Sequence, residues 1–225
     1  RMSRSAEIRM EMRRQRLEKE RMMKIATGEI DDISQHVEKQ GEVTLYGNDR
    51  TFNMNTMLAE NILGSEYFEV LLMRQSFHEL IEEILRKVDH VEPWSAGTAR
   101  IPSTAFCLLM RLFTMRLTFN QLNSMLTRTG SPHLRAMALL YVRFGLFRDK
   151  NIWDWFAAYV DDQEEFAPGA DKSAVMTFGE YAVKLLKDQK YYGTVMPRIP
   201  VPTMRSIQVK LLELQQNDVR AQKNE

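Results

Sequence analysis

Ser76-Phe77-His78-Glu79-Leu80-Ile81-Glu82-Glu83-Ile84-Leu85-Arg86-Lys87-Val88 is the stretch that decides the fold class. Ser76 with Glu79 three residues on is a capping box, in which hydroxyl and carboxylate satisfy each other's orphan backbone donors at a helix start. Behind it, Phe77, Leu80, Ile81, Ile84, Leu85 and Val88 recur at helical spacing and form one apolar face. Arg86 and Lys87 complement the C-terminal dipole, and Pro93 forbids continuation. The same start signal returns twice, at Thr118 with Gln121 and at Thr177 with Glu180.

Working outward, residues 95–102 read as a loop with Gly97 and Pro102. Ser103 then opens a nearly all-apolar helix through Ala105, Phe106, Cys107, Leu108, Leu109, Met110, Leu112 and Phe113. A helix that is apolar nearly all round belongs inside a domain, so 103–115 is expected to be the hub of the core. Upstream, Asn55 to Gly64 reads as a helix ending on a C′ glycine, followed by a short helix from Ser65 to Arg74. Downstream, Ser131-Pro132 places a cap residue before a first-turn proline, and that helix runs to about Phe144. Asn151 is expected to cap Ile152 to Val160, with Trp153 and Trp155 read as core. Pro197, Pro200 and Pro202 enforce an extended strap that delivers a last helix, from about 203 to 222, with Ile207, Leu211 and Leu214 on one side. Strands are admitted only at Val43–Tyr46 and Val175–Thr177. The expectation is an all-α, compact multi-helix globular domain with a basic helical N-terminal arm and an extended Pro-rich strap leading to a C-terminal helix. The domains are an arm over 1–44, the helical domain over 45–208 and a helical tail over 209–225.

The chain has 225 residues, 27% charged and 44% hydrophobic, an ordinary globular composition. Its single cysteine, Cys107, excludes an intrachain disulfide and a Cys-rich zinc site and points to a reducing compartment. No apolar run approaches the roughly 18 residues of a membrane span, and no apolar leader opens the chain. It begins at Arg1 and not at Met, so a longer natural N-terminus is expected. Residues 1–25 hold nine basic and four acidic side chains, a net of five positive charges, against a net of four negative charges on the remainder. The arm, helical in composition from about 3 to 26, has the charge to touch an RNA backbone through Arg9, Arg13, Arg14 and Arg16; a solvated charged helix is the plainer reading. No basic stripe is visible on the body, which is not expected to read RNA.

No catalytic or metal constellation is found. There is no Gly-rich phosphate loop and no Gly-x-Ser-x-Gly elbow. His78-Glu79 starts like a zinc-protease helix, but Glu82 stands where the second histidine would be. Asp89, His90 and Glu92 lack a nucleophile or metal shell and read as a packed corner before Pro93. Cys107 reads as an inert filler of an apolar helix. The binding features are loop-borne: His90, Glu92 and Trp94; the acidic run Asp161, Asp162, Glu164 and Glu165; and Arg198, Pro200 and Pro202 of the strap. Loops carry function disproportionately, so these are the candidate partner-binding residues. The acidic run is otherwise only solvated, and the prolines otherwise only stiffen the strap.

Taken together, the words Asn61-Ile62-Leu63-Gly64-Ser65 with Tyr67-Phe68, Lys87-Val88-Asp89-His90-Val91-Glu92-Pro93-Trp94, Ser103 to Leu109, Leu112-Phe113-Thr114, Ser131-Pro132, Tyr141-Val142-Arg143, Trp153-Asp154-Trp155-Phe156 and Pro197-Arg198-Ile199-Pro200-Val201-Pro202 resemble the pre-mRNA-splicing factor 38 family, in order, over about 45–208. The words around Glu92-Pro93-Trp94 and the strap are nearer to the B-type paralogue. The long Arg/Ser-rich tail of that type is not in this chain, and the basic arm is not a family word. The resemblance implies an all-helical, non-enzymatic spliceosome component in the nucleus, without cofactor. It implies a scaffold in the pre-catalytic complex, needed for activation. The partners it implies are extended helical peptides, a zinc-finger splicing factor and small nuclear ribonucleoprotein.

Overall fold

The structure, a computed structural model, describes residues 41–97 and 99–222, with side chains to Gln216. The expected arm helix and the weaker pattern at Ile30, Ile33 and Val37 lie outside the described residues. In chain order the helices are α1 (Thr56–Leu63), α2 (Glu66–Leu72), α3 (Phe77–Lys87), α4 (Thr104–Met115), α5 (Phe119–Leu126), α6 (Pro132–Gly145) and α7 (Ile152–Phe156). A hairpin of β1 (Glu165–Phe166) and β2 (Met176–Thr177) leads into α8 (Phe178–Lys187). A second hairpin, β3 (Lys190–Tyr191) and β4 (Thr194–Val195), precedes α9 (Val201–Gln222).

All three capping boxes form. The Ser76 hydroxyl accepts from the Glu79 N–H while the Glu79 carboxylate accepts from the Ser76 N–H at 2.9 Å, and Thr118/Gln121 and Thr177/Glu180 repeat the exchange. The all-apolar helix α4 sits at the centre, against α1, α2, α3 and α6. It shares that place with α6, in which every residue from Leu134 to Gly145 is buried. Phe52, Phe113 and Tyr141 stack at centroid distances of 5.1 and 4.5 Å where the two helices meet.

The connections depart from expectation in several places. Residues 41–46 do not form a strand; they cross the ends of the central helices, with the Val43 N–H on the Leu117 carbonyl (2.9 Å) and the Tyr46 N–H on that of Gly145 (2.8 Å). Gly64 has φ −89°, so it ends α1 without a left-handed cap. Asn151 and Ser131 make no side-chain cap bond, and α7 stops at Phe156, short of Val160. The strand at the end of 175–177 is present, but its partner at Glu165–Phe166 and the second hairpin were not expected. The strap ends sooner than its prolines suggest: the Pro200 carbonyl accepts from the Met204 N–H at 2.9 Å, and Pro202 lies in the first turn of α9, where its missing N–H costs nothing.

The acidic run is the largest correction. Asp162 is fully buried against the Arg135 guanidinium, which also holds Glu164. Its backbone docks on α8: the Phe178 N–H donates to the Glu164 carbonyl (2.8 Å) and the Gly179 N–H to that of Asp162 (2.9 Å). Asp162 is therefore a packing residue and offers nothing to a partner, and Glu164 is half-buried in the same cluster. Asp161 and Glu165 stay on the surface.

Candidate protein-interaction surface

A shallow groove lies between the α1–α2 elbow and the loop before α4. Glu60, Asn61, Glu66 and Tyr67 line one side; Arg100, Ile101 and Pro102 line the other. The elbow is set by two caps, Asn55 at the start of α1 and Ser65 at the start of α2. The loop is set by a ring of backbone contacts. The Ser95 N–H donates to the Ile101 carbonyl (2.8 Å), Trp94 and Pro102 form an antiparallel bridge, and the Ser103 N–H donates to the Pro93 carbonyl (2.9 Å). Arg100 takes the left-handed conformation at φ +46°, strained for a residue with a side chain, and the Asn61 amide holds its carbonyl at 3.1 Å. Its guanidinium lies 2.8 Å from the Met57 sulfur. The outcome is that Ile101, an apolar side chain, stands 59% exposed beside Glu60 and Glu66.

Charged groups lie beneath Tyr67. Burial raises the Tyr67 pKa, and the charge of Glu83, to which its hydroxyl donates at 3.2 Å, adds to the shift; Lys87 lies 4.8 Å over its ring. Burial pushes the Glu83 carboxyl up, but Lys87 at 2.9 Å and Arg86 at 2.5 Å outweigh it and hold the group below the usual carboxylate range. Behind the groove, burial pushes the Cys107 thiol up to about 11, against a hydrogen bond with Ser65, so it stays protonated and unreactive.

The residues expected from the sequence fall in three places. His90, Glu92 and Trp94 are half-buried on the segment leading to the groove. Glu92 accepts from the Ala170 N–H at 2.8 Å, the Val91 N–H donates to the Pro168 carbonyl at 2.7 Å, and Lys172 reaches the Asp89 carbonyl, so this segment fastens the 167–172 loop. Tyr191, buried, donates to the Val91 carbonyl at 2.7 Å and accepts from Tyr181 at 3.0 Å, and burial raises both phenols. Asp161 and Glu165 are exposed on the β1 side. On the strap, Arg198 and Pro202 are exposed and Pro200 is half-buried. Only Trp94 adjoins the groove. Arg9, Arg13, Arg14 and Arg16 lie outside the described residues. Sequence reasoning treated Asn61, Ser65 and Tyr67 as words of a resemblance and did not name them as a surface; Ile101 carried no signal at all. Among the described residues no group of three His, Cys, Asp or Glu side chains is placed to hold a metal, and no helix is long and apolar enough to cross a membrane.

Residues 43–209 match the PRP38 family. The chain belongs to that family. PRP38 proteins are non-catalytic splicing factors of the spliceosome. Pre-mRNA splicing factor SR-like 1 of Arabidopsis thaliana is 45% identical over 154 residues, covering 68% of this chain and 39% of the relative. Pre-mRNA-splicing factor 38B of Homo sapiens is 40% identical over 189 residues, covering 75% and 34%, and that of Danio rerio is 38% identical over 182 residues, covering 72% and 36%. The chain thus spans little more than a third of the length of these relatives. The PRP38-type helical fold also appears in a crystal structure of the Snu23-Prp38-MFAP1(217-258) complex of Chaetomium thermophilum. A chain of that complex superposes with a TM-score of 0.63 at 20% identity, over 77% of this chain and 88% of that one.

Proposed function

We propose that this chain is a docking module for spliceosomal proteins in the nucleus, acting in the pre-catalytic complex and contributing to its activation. PRP38 membership over most of the chain is the observation that carries the reading. The fold match supports it, because the matched chain comes from a complex with Snu23 and an MFAP1 segment. By that analogy the partners are the counterparts of those two proteins, one a zinc-finger splicing factor and the other an extended helical peptide, within a small nuclear ribonucleoprotein assembly. The groove between the α1–α2 elbow and the Trp94–Pro102 loop suits such a peptide: it is open, backbone-pinned, and presents the exposed Ile101 across from Glu60 and Glu66. The exposed residues Asp161, Glu165 and Arg198 belong to the proposed surface as secondary contacts; Asp162 does not.

Ile101→Asp tests the reading. Calorimetric titration of the full chain with the MFAP1 and Snu23 counterparts is expected to show about tenfold weaker binding or more for one of them, the usual cost of removing a buried apolar anchor. The melting temperature should not move, since the side chain is exposed. Unchanged affinity for both would remove the groove from the reading.

A further inference from the structure

We propose that this chain's own basic arm, residues 1–25, docks back on a face of the domain built from Phe119 of α5, Trp155 of α7 and Tyr159, and edged by Asp154 and Asp161. The face is made by other elements than the groove, and it does not depend on the docking reading.

The place where the chain enters the domain leads to this face. Forty residues precede Gly41. The Gly41 carbonyl accepts from the Phe119 N–H at 3.2 Å, beside an antiparallel bridge between Glu42 and Thr118. The Phe119 ring centre lies 4.8 Å from that of Trp155, so the chain before Gly41 meets the domain next to α7. Both rings are half-buried, as is Tyr159, which has the Arg135 guanidinium 5.4 Å from its ring centre and meets Phe178 edge to face at 6.1 Å. Residues 26–40 are the tether between the arm and this entry point. At about 3.3 Å per extended residue they span up to roughly 50 Å, ample for the basic segment to turn back.

Charge selects the occupant. Residues 151–165 hold five carboxylates and no basic side chain, and residues 117–127 hold no charged side chain. Arg135 takes two of the five, Asp162 and Glu164; the other three, Asp154, Asp161 and Glu165, are exposed. The face is therefore aromatic with an acidic edge. The arm is its complement, with seven arginines and two lysines against four glutamates, and five methionines among them. Guanidinium groups pair bidentately with carboxylates and stack on indole and phenol rings, and methionine sulfur packs against ring edges. Phosphate is repelled by such an edge, so RNA does not fit it. Tethering favours the arm over a separate basic partner. A linked segment meets its site at an effective concentration in the millimolar range, where ion pairs too weak to hold a free chain are sufficient. A partner that used Asp161 would first have to displace the arm.

The experiment is zero-length carbodiimide cross-linking of the full chain, in an equal mixture of unlabelled and heavy-nitrogen protein, read by mass spectrometry. Lys19 or Lys24 should join to Asp154 or Asp161, with both linked peptides carrying the same isotope. Raising the salt from about 0.1 to 1 M, which shortens the screening length from roughly 10 to 3 Å, should remove most of the link. Limited trypsin digestion gives an independent readout. Replacing Asp154 and Asp161 together by Asn should speed cleavage after Arg9, Arg13, Arg14 and Arg16 about threefold or more, relative to cleavage after the exposed Arg128, because cleavage follows the undocked population. Both aspartates are exposed, so circular dichroism should match the parent. Absence of any link between residues 1–25 and 151–165 overturns the proposal, and so does unchanged arm cleavage in the double variant. Links found only between unlike isotopes would put the arm on a second copy, and links to Glu60 and Glu66 in place of α7 would put it in the groove; either result also overturns it.

Discussion

Arg135 places its guanidinium 3.9 Å from the Phe178 ring centre, donates to the Leu126 carbonyl at 3.0 Å and pairs with both Asp162 and Glu164. Nothing in the spelling of 161–165 separates the buried Asp162 from the exposed Asp161, because burial of a carboxylate depends on a cation brought from 27 residues away. His133 is a similar case on the same helix. Its Nε2 lies 3.1 Å from the Ala167 carbonyl, and its ring meets Phe166 edge to face. Burial lowers its pKa, helped by Lys172 and His90 and opposed by the Ala167 bond and Asp89. A histidine depressed in the folded state takes up its proton more readily when unfolded. Its contribution to stability is therefore full above its ordinary pKa of about 6.5 and is lost as pH falls toward the folded value. Thermal melts at pH 7.5 and 5.0 should show a larger drop for the parent than for His133→Gln; equal drops would mean that other groups dominate.

At the scale of elements, the helices were legible because their signals are local. A cap residue, its carboxylate or amide partner three positions on, and a 3.6-residue apolar period all sit within one segment, and the three capping boxes form as spelled. The β3–β4 hairpin was not legible. Its turn puts Tyr192 and Gly193 at φ +43° and +76°, the left-handed pair that Asn-Gly usually signals, and a tyrosine in the first place hides it. Gly179 is a third kind of case. It looks like a helix-weakening glycine in α8, yet a Cβ there would stand 2.5 Å from the Val160 carbonyl oxygen, so its absence lets the 160–164 backbone lie on the helix start. Gly179→Ala should cost about 1–3 kcal/mol in denaturant unfolding, the penalty for overpacking against backbone that cannot yield. A change within a few tenths of a kcal/mol would show that α8 and the acidic run dock loosely.

At the scale of the whole molecule, α4 and α6 carry the core. Leu109 is fully buried in α4, and Leu109→Ala should cost on the order of 2–5 kcal/mol in urea unfolding. A loss below about 1 kcal/mol would take α4 out of the centre. The sequence by itself determined the mostly helical class, the central place of 103–115, the capping boxes and the order of words that points to the PRP38 family, because each is written in contiguous residues. Only the tertiary structure decided that α6 shares the centre, that Asp162 is interior, that Ile101 stands out over a groove held by Asn61 and Ser95, and that Arg143 ties the strap at Pro197 to the last turn of α8. Each of these depends on which distant backbone and side chains meet once the apolar faces are buried, and separation along the chain carries no record of that.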